Sequence, residues 1–322
     1  MTLDIETVIE RRQLRRRLGI WRLAALVLGL LIVLGLSARL SQGLGPLGRP
    51  HIARIDFSGL ITDDRKQIEL LRKVGEAENV SAVILAINSP GGTTTGGEAL
   101  FEAIRHTAEK KPVVAVFGTM ATSAAYMIGL ASDRIVARGN TITGSVGVIF
   151  QLPEISGLMD KLGVHMTEVK SGPLKAVPSM FEPLDPAGRA VAEDVVRETQ
   201  GWFLSLVRER RGIDTAAVDG LEAGRIFSGR QALAHRLVDE IGGEREAIAW
   251  LVTEKKLPEG LDVVDWRPEG AESWSLLGGR ADGGGSIVDA LARALAGGYV
   301  EDRVLQRLKL DGLLSVWHAE VN

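Results

Sequence analysis

The sequence predicts an α/β fold built on a parallel β-sheet with helices packed on its faces. Two short apolar runs, at 82–87 and 112–117, follow a strand-like segment at 51–57, and they support this prediction because continuous apolar runs are typical of strands buried on both faces. Between these runs, at 62–74 and 97–110, the apolar spacing is that of amphipathic helices. Strands and helices that alternate in this way favour parallel pairing.

The elements that follow extend the same pattern. Glycine-containing turns are predicted over 88–92 and 118–122, after the second and third strands. A short helix is then predicted with Ser123 as its first residue. The remaining predicted elements are a strand at 134–137, a short helix at 153–162, a strand at 165–169, a long helix at 185–211, helices beginning at the Ser228-x-x-Gln231 capping box and at Glu244, and a strand at 263–265.

The amino-terminal end has the pattern of a membrane anchor. An arginine-rich segment at 1–19 precedes an apolar segment at 20–40, which is longer than the apolar region typical of a cleaved signal peptide. The positive-inside rule places 1–19 in the cytoplasm and the rest outside the cytoplasmic (inner) membrane, on its periplasmic or extracytoplasmic side. A linker at 41–50 then leads to a folded domain at 51–270.

The carboxyl-terminal extension, 271–322, differs in composition from this domain. It opens with a glycine-rich linker at 278–285, and the apolar spacing over 287–322 predicts one or two amphipathic helices. Docking or contact between subunits is the simplest role for such helices. The sequence indicates no chemistry in this extension.

Composition excludes several classes of function. The 322 residues have a net charge of −3, and no basic face indicates a nucleic-acid partner. Cysteine is absent, which excludes disulfides, thiolate metal sites and a cysteine nucleophile. The sequence also has no HExxH motif, no carboxylate pair at useful spacing and no nucleotide-binding motif. We therefore expect neither a metal nor a cofactor.

Ser123 is the candidate nucleophile. It lies among small residues at the predicted start of a helix, where unpaired amides and the helix dipole can hold an oxyanion. The alternative is an ordinary N-cap serine. Backbone amides of the 91–92 glycine pair, and that of Ala124 after the serine, are the candidate oxyanion-hole donors: Gly91, Gly92 and Ala124.

Four motifs in order carry a family resemblance: INSPGG at 87–92, TSAAY at 122–126, TGSVGVI at 143–149 and KSGPLK at 170–175. Together they resemble the signal peptide peptidase A (SppA) family of membrane serine proteases, in its short form, over about 51–251. The resemblance implies the fold of the ClpP and crotonase superfamily, a superhelix of β-β-α units. Alanines replace the glycines that many relatives have after the serine, which puts the width of the substrate pocket in question.

The resemblance also implies a Ser/Lys dyad. It assigns Ser123 as nucleophile and Lys175 as its base, with the hydroxyl of Ser145 orienting the lysine amine. Apolar neighbours of Lys175 would favour its neutral form by desolvation. Lys170 is the alternative base, and a triad with one of the five histidines stays open because triads are defined by geometry, not chain order.

The same resemblance implies the partners and the substrate. It predicts hydrolysis of remnant signal peptides and other apolar peptides at the lipid bilayer, by a homo-oligomeric ring whose active sites are shared between protomers. Two other functions stay open. One is a crotonase-type acyl-CoA enzyme, and the other is a catalytically silent membrane scaffold with the same fold.

Overall fold

The computed structural model describes residues 48–268, the backbone of residues 313–316, and three isolated positions at 21, 26 and 29. The predicted anchor at 20–40, apart from those positions, and the predicted glycine-rich linker at 278–285 lie outside the described residues. In the part of the chain that is described, no helix combines the length and apolar character that crossing a bilayer requires.

Helices and strands alternate through the described chain. The strands are β1 (His51–Ile61), β2 (Val80–Thr93), β3 (Val113–Thr122), β4 (Arg134–Ala137), β5 (Ile142–Gly144), β6 (Ile149–Phe150), β7 (Ile226–Ser228), β8 (Glu240–Ile241), β9 (Val263–Trp266) and β10 (Leu313–Val316). The α-helices are α1 (Arg65–Glu76), α2 (Thr94–Ala108), α3 (Ala124–Leu130), α4 (Ser156–Lys161), α5 (Pro186–Arg211), α6 (Gly229–Ala234) and α7 (Glu244–Thr253). Short 3-10 helices cover Thr215–Ala217 and Leu221–Ala223.

Six strands form the parallel part of a mixed sheet, in the order β9-β1-β2-β3-β4-β8. Apolar side chains alternate between its two faces. Val83 and Leu85 face the larger core under α1, α2, α3 and α5, whereas Ala82 and Ile84 face a smaller core under α7. Because both faces are covered, the strands have continuous apolar runs, and this confirms the predicted fold class.

Strands β2 and β3 extend through the segments that the sequence predicted as turns. The β2 strand runs through 88–92 to Thr93, and β3 runs through 118–122. Beyond this point they join a second, smaller group of strands. There β10 lies antiparallel to both β2 and β6, while β5 pairs in parallel with β3 and antiparallel with β7. Backbone pairing overrides the turn preference of proline and glycine in these segments.

Two further predicted elements are wrong. Residues 165–169, predicted as a strand, have no regular structure and are exposed, and no strand of the described chain pairs with them. Residues 313–316, placed in a predicted amphipathic helix, form β10, since the unpaired edges of β2 and β6 offer their backbone hydrogen-bond partners. The capping box at Ser228 and Gln231 is confirmed, with both reciprocal hydrogen bonds present.

An extended arm at 150–185 connects β6 to α5. Between β6 and α5 its one regular element in the described chain is α4, and its outgoing and returning segments are joined by the bond from the Ile155 amide to the Met180 carbonyl at 2.9 Å. The arm ends where Asp185 caps α5, its carboxylate accepting from the Gly188 amide at 2.6 Å. The predicted candidate base, Lys175, lies in this arm.

Candidate active site

Ser123 lies on a sharp turn between β3 and α3. Its backbone has φ 58° and ψ −121°, a conformation that is sterically unfavourable for a residue with a Cβ. The turn is held at both ends, because the Ser123 amide donates to the Gly144 carbonyl at 2.9 Å and the Ser123 carbonyl accepts from the Met127 amide at 2.9 Å. A serine on a strained strand-to-helix turn is the geometry of a nucleophile elbow.

The side chain of Ser123 does not act as an N-cap. No capping hydrogen bond links it to the first turn of α3, which begins one residue later at Ala124. Instead Ser123 Oγ donates to the carbonyl oxygen of Gly147 at 3.5 Å. The residue is 1% exposed, and all seven residues of α3 are buried behind it. The free-energy cost of the strained backbone is therefore not offset by a capping hydrogen bond, which a serine at this position usually makes.

The turn at 144–147 lies beside Ser123 and carries Ser145, which also has a positive φ of 51°. Its amide donates to the Arg225 carbonyl at 2.9 Å, which fixes this backbone against β7. Ser145 and Gly147 open onto a cavity of about 310 Å³, with Gln200 and Glu222 on its far wall. The structure thus brings the two sequence-predicted serines to one place.

The glycine pair in β2 is constrained by its neighbours. A Cβ on Gly92 would lie 1.7 Å from the Ile61 carbonyl oxygen, so the close approach of β1 requires glycine there. The Gly91 amide donates to Ser89 Oγ at 3.1 Å. These contacts explain the glycines without a ligand, and the assignment of their amides to an oxyanion hole stays a prediction.

Thr122 is a supporting residue that the sequence analysis did not identify. Its hydroxyl donates to the Pro90 carbonyl at 3.0 Å, which ties the glycine segment of β2 to the residue before Ser123. Thr143 makes a similar bond, from its hydroxyl to the Ala121 carbonyl at 2.7 Å. Both threonines are buried. The signal that the sequence offers for them is position: Thr122 precedes Ser123, and Thr143 opens the motif at 143–149.

The two candidate lysines differ in their surroundings. Lys170 Nζ lies 2.7 Å from a carboxylate oxygen of Glu168 and 3.4 Å from one of Glu182. The hydrogen bond to Glu168 raises the pKa of Lys170, which favours the charged form and makes it a poor base. Lys175 is exposed, and among the described residues none forms a hydrogen bond or ion pair with its ammonium group. In the described chain Lys175 therefore makes no hydrogen bond to Ser123.

Backbone strain is concentrated in these segments. Five non-glycine residues of the described chain have a positive φ, and three of them are Ser123, Ser145 and Ala176, the last beside Lys175. Strained conformations of this kind cost about 1–3 kcal/mol each and cluster at functional sites.

The sequence of this chain is similar to those of known proteins. Residues 105–258 match peptidase family S49, and residues 62–141 match the Clp protease family. A candidate protease of Synechocystis sp. is 33% identical over 245 residues, which are 76% of this chain and 87% of the relative. The chain belongs to peptidase family S49. A candidate signal peptide peptidase SppA of Enterococcus faecium is also similar, 36% identical over 243 residues that make up 69% of this chain and 70% of that relative.

Family S49 membership makes the chain a serine peptidase with a ClpP-like α/β fold. The S49 match contains Ser123, Ser145 and Lys175, and the Clp protease match contains the glycine pair at 91–92. Protease 4 of Haemophilus influenzae is another relative, 33% identical over 207 residues that cover 61% of this chain and 34% of that protein. The crotonase-type alternative loses its support, since the family is one of peptidases.

Proposed function

We propose that this chain is an endopeptidase in which Ser123 is the nucleophile and Lys175 the general base. The observation that carries the proposal is the strained turn at Ser123, whose cost is not offset by capping. Ser123 Oγ attacks a peptide carbonyl while the neutral amine of Lys175 takes its proton. The resulting ammonium then protonates the leaving amine, and water releases the acyl group from Ser123.

Backbone amides stabilise the oxyanion of this reaction. The Ala124 amide is the first of α3, where the unpaired amides of a helix start favour negative charge. A second donor comes from the 91–92 glycine segment, which follows Pro90, the acceptor of the Thr122 hydroxyl; the Gly91 amide would exchange its bond to Ser89 Oγ for one to the oxyanion. Ser145, on the neighbouring turn, accepts or donates a hydrogen bond to orient the lysine amine.

The lysine is supplied by a neighbouring copy of the chain. This part of the proposal is supported by the arm at 150–185, which presents much of the exposed apolar surface of the described residues. Its exposed apolar side chains are Leu152, Leu158, Leu162, Val164, Met166, Val169, Leu174 and Leu184, and Val169 is 99% exposed. Covering such surface against a second subunit contributes several kcal/mol. The same contact removes Lys175 from water, which favours the neutral amine that the reaction needs.

Subunit mixing tests the shared site. Ser123→Ala and Lys175→Ala proteins should each be inactive, and mixing them under conditions of subunit exchange should restore activity, because some interfaces then combine an intact serine with an intact lysine. Lys170→Ala is the matched control from the same arm, and it should keep most of its activity. If mixed oligomers form and no activity returns, both members of the dyad come from one chain.

Fluorophosphonate labelling separates the protease from a silent scaffold of the same fold. Such probes react with an activated serine, so the wild-type chain should be labelled and Ser123→Ala should not. Lys175→Ala should be labelled far more slowly, since its serine has no base. Equal labelling of wild type and Ser123→Ala would reject Ser123 as the nucleophile.

The proposed substrates are remnant signal peptides and other apolar peptides, and the proposed location is the outer face of the cytoplasmic membrane. Support comes from the basic segment at 1–19 and the apolar segment at 20–40, which together have the pattern of an anchor with its amino terminus inside. Protease shaving of spheroplasts should degrade the domain at 51–270. Its protection in intact spheroplasts, with degradation after lysis, would place the domain in the cytoplasm.

A further inference from the structure

Two guanidinium groups bind the carboxyl-terminal end of α3, the buried helix of the candidate site. Arg210 of α5 donates through Nε to the Leu130 carbonyl at 2.8 Å and through Nη2 to the Ser132 carbonyl at 2.9 Å. Arg105 of α2 donates at 2.8 Å to the Ala131 carbonyl, which lies between them in sequence. Three consecutive carbonyls at this end are therefore bound by charged donors from two neighbouring helices.

The two guanidinium groups are close enough to repel each other. Burial lowers the pKa of Arg210, and the positive charge of Arg105 lowers it further. The carboxylate of Asp133 lies 3.9 Å from Arg105, and it also accepts from the Val113 amide at 3.0 Å. Like charges grouped in a half-buried place cost free energy, and the hydrogen bonds to the carbonyls of α3 offset that cost.

The opposite end of α3 is packed closely against α2. A Cβ on Gly97 would lie 3.2 Å from the Ala124 Cβ, so the absence of a side chain there allows α2 to lie against the first residue of α3. Further along α2, Arg105 binds the Ala131 carbonyl just beyond the last residue of α3. α2 therefore contacts α3 at both of its ends.

A short helix that is held at its far end transmits a displacement there to its first residue. α3 has seven residues, and at a rise of about 1.5 Å per residue about 10 Å separates its ends. All seven residues are buried, in a core packed too densely to absorb a shift. Loss of the guanidinium bonds would therefore move the Ala124 amide, and a misplacement of about 1 Å can cost about a hundredfold in rate.

We propose that Arg105 and Arg210 are positioning residues for the reaction, which act through α3 on the amide of Ala124. The proposal rests on the proposed function, in which that amide stabilises the oxyanion. Arg210 also lies at one end of α5, whose other end begins at the Asp185 cap that terminates the arm at 150–185. The arm and the position of the Ala124 amide thus depend on the same helix.

Substitution of Arg210 in the full-length chain tests this role. Arg210→Met removes both hydrogen bonds and should lower kcat for an apolar reporter peptide about tenfold, with KM nearly unchanged. Arg210→Lys keeps a charged donor and should recover part of the loss. Arg211→Met is the matched control, because it removes a neighbouring guanidinium that donates to Arg236 and Asp239 and not to α3. Arg211→Met should lower the stability of the chain and keep its kcat.

A pair of inhibitors separates positioning from general stability. When a peptide aldehyde binds, Ser123 Oγ bonds to its carbonyl carbon, Lys175 takes the serine proton, and the carbonyl oxygen becomes an oxyanion. The corresponding peptide alcohol forms no such bond. Arg210→Met should bind the aldehyde about tenfold more weakly than wild type and the alcohol equally well. Arg105→Met, which leaves Arg210 in place, should show the same selective loss. An unchanged preference for the aldehyde in both variants, or an equal loss in Arg211→Met, would overturn the proposal.

Hydrogen exchange keeps this proposal separate from the proposed function. In a Ser123→Ala background, the amides of α3 should exchange on the order of tenfold faster in Arg210→Met than in Arg211→Met, because only the first loses its bonds to α3. Equal exchange in the two variants would overturn the role of Arg210. Absence of hydrolysis by the wild-type chain, combined with the expected difference in exchange, would instead reject the peptidase assignment and leave the hold on α3 standing.

Discussion

Because the backbone at Ser123 is strained, we expect the Ser123→Gly variant, which has no side chain there, to be more stable than Ser123→Ala, which keeps a Cβ. Ser123→Ala and Ser123→Gly both lack the hydroxyl and its 3.5 Å hydrogen bond to the Gly147 carbonyl, so both should be inactive. They differ in the backbone. Alanine keeps a Cβ in the conformation with φ 58° and ψ −121°, whereas glycine adopts positive φ without steric cost.

The expected difference follows from two opposing effects. Relief of the strained conformation is worth about 1–3 kcal/mol, and the greater freedom of glycine in the unfolded chain costs about 0.4–1 kcal/mol. The Ser123→Gly variant should therefore be the more stable of the two by about 1–2 kcal/mol. For a domain of about this size that difference is a rise in Tm of about 2–8 °C.

Thermal or urea unfolding of the two purified variants, in the same detergent and buffer, measures this difference. Gly201→Ala, in α5, makes a useful reference because no atom lies within 4 Å of the added Cβ. If Ser123→Gly is less stable than Ser123→Ala by about 0.4–1 kcal/mol, the cost of glycine's freedom alone, the turn holds no strain in solution. The main observation behind the nucleophile assignment would then be lost.

Two further predictions concern stability away from the chemistry. Gly92→Ala should fail to give a folded protein, because its Cβ would lie 1.7 Å from the Ile61 carbonyl oxygen, whereas Gly201→Ala should stabilise the chain by about 0.5–1 kcal/mol; circular dichroism and unfolding curves compare them. Glu246 accepts from the Gly243 amide at 2.7 Å, and this bond lowers the pKa of Glu246 from 4.5 to about 2. The folded state therefore favours the carboxylate, so its stabilisation is complete above pH 4.5 and is lost as the pH falls toward 2. The difference in unfolding free energy between wild type and Glu246→Gln should change over that interval, and an unchanged difference would contradict it.

Apolar periodicity was sufficient to predict most of the central sheet and its helices. The helix at 185–211 was predicted close to the observed bounds of α5, and the strand at 82–87 lies inside β2, because burial on one stripe or on both faces leaves a clear pattern. The local sequence pattern predicted the wrong secondary structure where pairing with a neighbouring strand determines it. Residues 88–92 have turn composition, yet Leu60 and Ile61 of β1 hold their last two residues in extended form.

The candidate site was predicted as a set of residues, but its geometry was not. Motif order pointed to Ser123, Ser145 and Lys175, and the structure places the two serines on adjoining turns. Nothing in the sequence indicates the positive φ of Ser123, since a serine before a helix is ordinarily a cap. In the mechanism proposed above, Lys175 acts on the serine of a neighbouring chain, and the sequence of one chain carries no pattern that would predict such a contact.

The fully buried helix α3 has a consequence for the order of events in catalysis. It closes the rear of Ser123, which is itself 1% exposed, so the serine has to be approached from the side that faces away from α3. In the proposed mechanism the water that hydrolyses the acyl group must then arrive by the path through which the first product departs. Departure must precede hydrolysis, and an amine that enters by this path competes with water for the acyl group. At high concentrations of amino-terminal peptide acceptors, the enzyme should therefore join peptides as well as cut them.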